Sequence, residues 1–230
     1  MNRLKTALIA SLISMPALAQ FTNPFANTQD RLVMQFNWNT WLNNTDTSLK
    51  LQTQSRGFDI HWMFDFLFKD SSKFSIAPGL GISTANVFHK SFITATDSAT
   101  FFTAHKDSLD FKKNKLATTY VEVPLELRFR SKSNKSGGSV KIAVGAKAGL
   151  LLAAKTKYVG PGAPFGLQEE DTKVKTFKIP NVARFRYGLT FRAGYSNVNL
   201  VAFYALSTLF DASRGPVLNP FSVGISFNLL

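Results

Sequence analysis

Between residues 121 and 130 every second position is apolar. Val121, Val123, Leu125, Leu127 and Phe129 alternate with Glu122, Pro124, Glu126, Arg128 and Arg130. A period of two is that of an extended strand, so this segment has one aliphatic face and one charged face. The same alternation recurs over residues 32–43, 57–69, 73–85, 116–130, 139–153, 183–195, 197–207 and 221–229. In 57–69, Phe58, Ile60, Trp62, Phe64, Phe66 and Phe68 oppose Asp59, His61, Met63, Asp65, Leu67 and Lys69; in 183–195, Phe185, Tyr187, Leu189 and Phe191 oppose Arg184, Arg186, Gly188, Thr190 and Arg192. Segment 197–207 is nearly all apolar, and Val198, Leu200, Ala202, Tyr204 and Leu206 are taken as its outer set. No helical period of comparable strength appears.

These segments exceed the usual strand length of about five or six residues. They suit a tilted bilayer crossing, which takes about 9 to 11 residues. Their connections alternate in length. Short links follow 57–69, 116–130 and 183–195, while residues 44–56, 86–115, 154–182 and 208–220 form long ones. The pattern predicts an all-β fold, an eight-stranded antiparallel transmembrane β-barrel with short periplasmic turns and long extracellular loops. An even strand count returns both termini to the periplasmic side.

In such a barrel Phe58, Trp62, Phe64, Val123, Leu125 and Phe227 face lipid. The interleaved charges face the lumen: Asp59, Asp65, Glu122 and Glu126 against Arg128, Arg130, Lys141, Lys147, Arg184, Arg186 and Arg192. Buried charges need partners, and these two sets supply each other. Trp38, Trp41, Trp62, Tyr120, Tyr158, Tyr187 and Tyr195 are expected at the membrane interfaces. Pro124 has no N–H for the ladder, so a bulge or water-filled gap is expected there. The competing reading is a soluble lipocalin-like barrel with the apolar face turned inward around a ligand. The alternation that continues to the chain end, as in a barrel-closing strand, favours the membrane form.

The first residues change the compartment. Arg3 and Lys5 precede an apolar run from Ala7, then Pro16 and the small-residue end Ala17, Leu18, Ala19. That is the form of a secretory signal peptide over residues 1–19, followed by a periplasmic segment at 20–31 and the barrel at 32–230. The expected location is the outer membrane of a Gram-negative cell after cleavage. With no cysteine in the chain, disulfides and a lipidated N-terminal cysteine are excluded. The formal net charge is +13. In an exported chain it points to lipid phosphates and acidic glycans rather than nucleic acid, and a solvated surface accounts for it equally well.

Three stretches then carry a family resemblance. Tyr120-Val121-Glu122-Val123-Pro124-Leu125 resembles the "Y-hydrophobic-E-hydrophobic-P-L" strand of the PorT-like outer-membrane β-barrels of Bacteroidota. The glycine-rich strand at 74–83, FSIAPGLGIS, and the closing hairpin at 204–227 are similar to theirs. The resemblance implies a barrel with an interaction or structural role, associated with a type IX-like protein-secretion apparatus. The alternative role is a narrow channel for ions or small solutes. The expected partners are outer-membrane lipid, lipopolysaccharide included, and envelope or secretion proteins.

Candidate chemistry is sparse. His61 lies between Asp59 and Asp65 on the lumenal face, where a packed, hydrogen-bonded histidine outweighs a metal ligand. His89 and His105 flank a Ser- and Thr-rich loop in which a hydrolase triad is imaginable, but no nucleophile motif accompanies them. Residues 159–173 read as a mobile loop whose Glu169, Glu170 and Asp171 are solvated charge rather than a cation site. No enzymatic activity, cofactor or metal is expected.

Overall fold

The computed structural model describes residues 31–44, 46–68, 73–104, 111–134, 137–166, 168 and 171–229. The expected signal peptide and almost all of the expected periplasmic segment lie outside them. The strands are β1 (Leu32–Leu42), β2 (Arg56–Met63), β3 (Phe66–Leu67), β4 (Phe74–Phe88), β5 (Ser91–Ala95), β6 (Thr100–Ala104), β7 (Lys113–Arg130), β8 (Val140–Gly160), β9 (Thr172–Phe177), β10 (Phe185–Tyr195), β11 (Val198–Ala205) and β12 (Asn219–Leu229). Eight of them form one antiparallel ring in the order β1-β2-β4-β7-β8-β10-β11-β12, and β12 pairs back onto β1 from Leu32↔Leu229 to Leu42↔Asn219. Closure leaves the ring no free edge, which a backbone inside lipid requires. Leu32 and Leu229 meet at the end that carries the short turns, where Ser196 turns β10 into β11 with a φ of 55°.

The faces are inverted relative to a soluble barrel. Outward Val123 is 56% exposed and Leu200 69%, whereas inward Glu122 is 1% exposed and Ser226 is sealed off entirely. An apolar exterior around a polar, buried interior removes the lipocalin-like reading. Phe58 stacks on Phe36 with ring centroids 5.2 Å apart on the outer wall.

Several expectations need correction. The strand read at 57–69 is interrupted after Met63 and resumes at Phe66 and Leu67 on β4, with the Phe64 and Phe68 amides also donating to the β4 carbonyls of Pro78 and Phe74. The β4–β7 ladder opens opposite Val123 and Pro124 while Pro78↔Leu125 and Gly81↔Glu122 keep one register, so of the two expected forms there is a gap in the ladder and no bulge at Pro124. The bulge lies higher on the wall, where Tyr120 pairs with Leu151 and Thr119 with Ala153. Leu152 is the extra residue, and beyond it the in-out parity of β8 reverses.

The long connections are not simple loops. β7 has 18 residues and β8 has 21, about twice a bilayer crossing, so both project beyond the membrane. β9 extends this projecting wall by pairing with the end of β8, and β5 and β6 form a hairpin of their own. Trp41, Val87, Leu116 and Ala154 from the wall gather Leu49, Phe102, Ile179, Val182, Leu209, Phe210 and Leu218 from all four outer connections into one buried cluster. The outer mouth is therefore closed by an apolar cap. Trp41, Tyr120 and Tyr158 are buried within this end of the molecule rather than set in an interfacial girdle.

Candidate functional site: a charged lumen under an apolar cap

Inward positions on β2 and β7, with Asp65 just past the end of β2, place four carboxylates in layers along the barrel axis. Nearest the short-turn end, Asp65 lies between Arg128, 3.8 Å away, and Arg130, 3.4 Å away. One layer higher, Glu126 accepts hydrogen bonds from Arg128 Nε at 2.8 Å and Arg192 Nη2 at 2.5 Å. Arg192 also donates to Asn228 Oδ1 at 2.7 Å, which ties β10 to β12. The third layer centres on Glu122. Arg186 donates to its Oε1 at 2.5 Å, Lys147 to its Oε2 at 2.9 Å, and the His61 ring nitrogen Nε2 lies 3.2 Å from Oε2.

Lys147 bridges onward to Asp59 at 3.5 Å, and Asp59 accepts a hydrogen bond from Asn37 Nδ2 at 3.0 Å. Arg186 donates to Ser83 Oγ at 2.9 Å and stacks 4.0 Å over the Tyr120 ring. Lys147 lies 4.2 Å over Phe203. These rings carry the network from charged to apolar surroundings, since a cation over an aromatic face remains stabilised where water is scarce. Gly149 makes room for the hub, because a Cβ there would come within 3.1 Å of Glu122 Cγ.

Of the residues expected in the lumen, Asp59, Asp65, Glu122, Glu126, Arg128, Lys147, Arg186 and Arg192 are buried together, while Arg130 and Lys141 are half-buried. Arg184 is a correction: it is exposed, in a bend that precedes β10. The alternation of β10 cannot be extrapolated past the strand's own first residue. On the outer wall Trp62, Val123, Leu125 and Phe227 are exposed, whereas Phe58 and Phe64 are partly covered. Sequence reasoning missed Asn37, Ser83, Asn228, Tyr120 and Phe203 as partners of the charges. The first three stand in phase with the charged positions, so their inward direction was readable. Whom they touch was not.

His89 also departs from expectation. It does not flank an open loop but is fully buried in the cap beside Trp41 and Phe102, at 6.1 and 5.7 Å between ring centroids. Burial pushes its imidazole down to about 4, a fall partly offset by the backbone of Ser91. A neutral ring inside an apolar cluster is a packing element. His105, Glu169 and Glu170 lie outside the described residues, and Asp171 pairs with Lys112 at 2.7 Å. Among the described residues no three His, Cys, Asp or Glu side chains come together as a metal site would need.

Three small cavities lie within the barrel. One of about 40 Å³ sits at the short-turn mouth beside Arg128, Arg130 and Arg192, and two of about 20 Å³ lie deeper, beside Asp59 and Lys147 and beside His61 and Pro124. Each has room for about one or two waters.

A closed eight-stranded wall, apolar without and charged within, is that of a transmembrane β-barrel of the outer membrane. The chain matches the family described as "Outer membrane protein beta-barrel domain" over residues 25–211, and it belongs to that family. Among solved structures it is similar to Ail, the attachment invasion locus protein of Yersinia pestis, with 16% identity, 85% of this chain and 95% of that chain covered, and a TM-score of 0.34. Ail in complex with the heparin analogue sucrose octasulfate matches at 14% identity over the same shares, with a TM-score of 0.35. The translocator domain of the autotransporter NalP from Neisseria meningitidis matches at 8% identity, with 98% and 97% covered and a TM-score of 0.22. At these scores the likenesses carry no inference about ligand or role. The search of curated proteins finds no match.

Proposed function

We propose that this protein is a closed, non-enzymatic outer-membrane barrel whose work is done by its outer surface and its periplasmic face, as an interaction or structural element of the envelope. The observation that carries this reading is the double seal. Glu122, Glu126 and Asp65 lock the lumen with arginine and lysine partners, and the cluster around Phe102, Leu116 and Phe210 closes the mouth above them. Ions crossing it would have to break buried charge pairs and then pass an apolar plug, and both steps are costly. The strand at 120–125 resembles that of PorT-like barrels, so association with a type IX-like secretion apparatus is part of the proposal. Removal of residues 1–19 on export is another part.

Purified protein in planar bilayers is expected to show no sustained conductance. Steady channels of uniform size, altered by Arg186→Ala, would replace this reading with the channel. Crosslinking in native membranes tests the association, and recovery of the barrel with no secretion component would remove it.

A further inference from the structure

On the projecting wall, above the lipid-facing band, six lysines share the outward face of three adjacent strands. Lys115 of β7, Lys157 of β8 and Lys175 of β9 stand directly opposite one another in a single row. Lys155 flanks that row on one side, with Lys113 and Lys173 on the other. Arg56 continues the surface through the row Arg56↔Asn86↔Ala117↔Lys155. Side chains directly opposite on neighbouring strands are about 4.5 to 5.5 Å apart at Cβ, and like charges placed so destabilise a sheet.

Desolvation and the neighbouring cations both act against the charge on these groups. Lys115 is held below the usual lysine range by partial burial and then by Lys113, Lys157, Lys155 and Arg56. Lys157 is lowered in the same direction, by desolvation and then by Lys173, Lys113, Lys175 and Lys155. Among the described residues none of the six has an ion pair, although Lys112 beside them is paired to Asp171. Lys115 donates instead to Asn86 Oδ1 at 2.6 Å. A fold that merely needed solubility would alternate the signs here.

Position identifies the counter-charge. The outward residues Val121, Val123, Leu125 and Leu127 form the lipid-facing stripe of β7, and the lysine tier begins only a few residues above it. At about 3.3 Å per residue and a tilt near 45°, the tier stands roughly 10 to 20 Å above the top of that stripe. Below Arg56, a cleft of about 630 Å³ runs down the outer wall between Phe36, Trp38 and Phe58. Acyl chains against the aromatic wall and phosphates at the basic tier match this sequence of surfaces. The bulge at Leu152 is what makes it possible, since without the parity reversal Lys155 and Lys157 would point into the apolar cap.

We infer that the Lys113, Lys115, Lys155, Lys157, Lys173 and Lys175 tier, with Arg56, is a docking site for the phosphorylated headgroup of an outer-leaflet glycolipid of the lipid A type. The inference rests on the outer-membrane reading and names the lipid that this wall would select.

The test uses the folded full chain reconstituted in phosphatidylcholine nanodiscs and titrated with fluorescent deep-rough lipopolysaccharide, so that barrel and glycolipid share one bilayer. Binding is expected to weaken with salt. It should fall at least tenfold in the triple variant Lys115→Gln, Lys157→Gln, Lys175→Gln, and stay unchanged in Lys73→Gln, Lys90→Gln, Lys132→Gln, which removes equal charge elsewhere. All six positions are at the surface, and unchanged heat-dependent mobility on SDS gels verifies that both variants are folded. That control also separates failure of this site from failure of the barrel itself. Equal loss in both variants would overturn the proposal by reducing it to net charge. Equal binding of the dephosphorylated glycolipid would overturn it too, as would equally tight binding of a soluble sulphated oligosaccharide through the same lysines.

Discussion

Truncating Glu122 tests whether the lumen is held by dry, paired charge. In the wild-type protein its carboxylate joins Arg186, Lys147 and His61, and at 1% exposure it has no alternative partner in bulk water. Glu122→Ala leaves Lys147 with Asp59 at 3.5 Å, and Arg186 with Ser83 and the Tyr120 ring. Stripping a buried charge of its partner costs about 3 to 5 kcal/mol. These residual contacts put the expected loss at the lower end, about 3 kcal/mol, or roughly a hundredfold in the unfolding equilibrium. Reversible urea unfolding in lipid vesicles, followed by tryptophan fluorescence, measures it. Adding Arg186→Met to Glu122→Ala should recover part of the loss, because it removes the cation left unpaired while Lys147 keeps Asp59 as its partner. A Glu122→Ala variant within about 0.5 kcal/mol of wild type would refute the reasoning, since surface charges behave in that way.

The closed ladder should make unheated protein migrate faster on SDS gels than boiled protein, and identical mobility would contradict an edgeless ring. Val123→Arg, outward on β7, should cost about 2 to 4 kcal/mol if it sits near the bilayer midplane, whereas Lys155→Val on the projecting wall should be close to neutral in the same unfolding assay. Brominated lipid should quench exposed Trp62 and leave Trp41, buried in the cap, untouched; single-tryptophan variants resolve the two. The cap should be acid-sensitive. His89, outside the membrane-spanning stretch, is near 4 when folded against 6.5 when free, so its stabilisation is complete above about pH 6.5 and is lost as pH falls towards 4. That amounts to about 3 kcal/mol, read as faster proteolysis of the outer connections at pH 4.5 than at pH 7.5. His89→Phe should flatten the dependence.

The sequence by itself determined which residues point outward and which point into the lumen along Val121 to Arg130, because side-chain direction in a strand is a local property with a period of two. For the same reason the eight crossings and the closing strand to Leu229 were readable, whereas the strands inside the long connections were not. Only the tertiary structure decided who meets whom. Glu122 of β7, Lys147 of β8, Arg186 of β10 and His61 of β2 converge because the register of every intervening ladder sets their heights, and no alternation pattern encodes register around a closed ring. The cap escaped for a related reason: Leu49, Phe102, Ile179 and Leu218 come from four separate connections without a shared period, and burial joins them across the mouth. Tyr120 and Leu152 show the limit most sharply. One extra residue in β8 reverses its parity, closing the cap with Ala154 and turning Lys155 and Lys157 outward, and a bulge arises from the pairing of two strands rather than from the pattern of either.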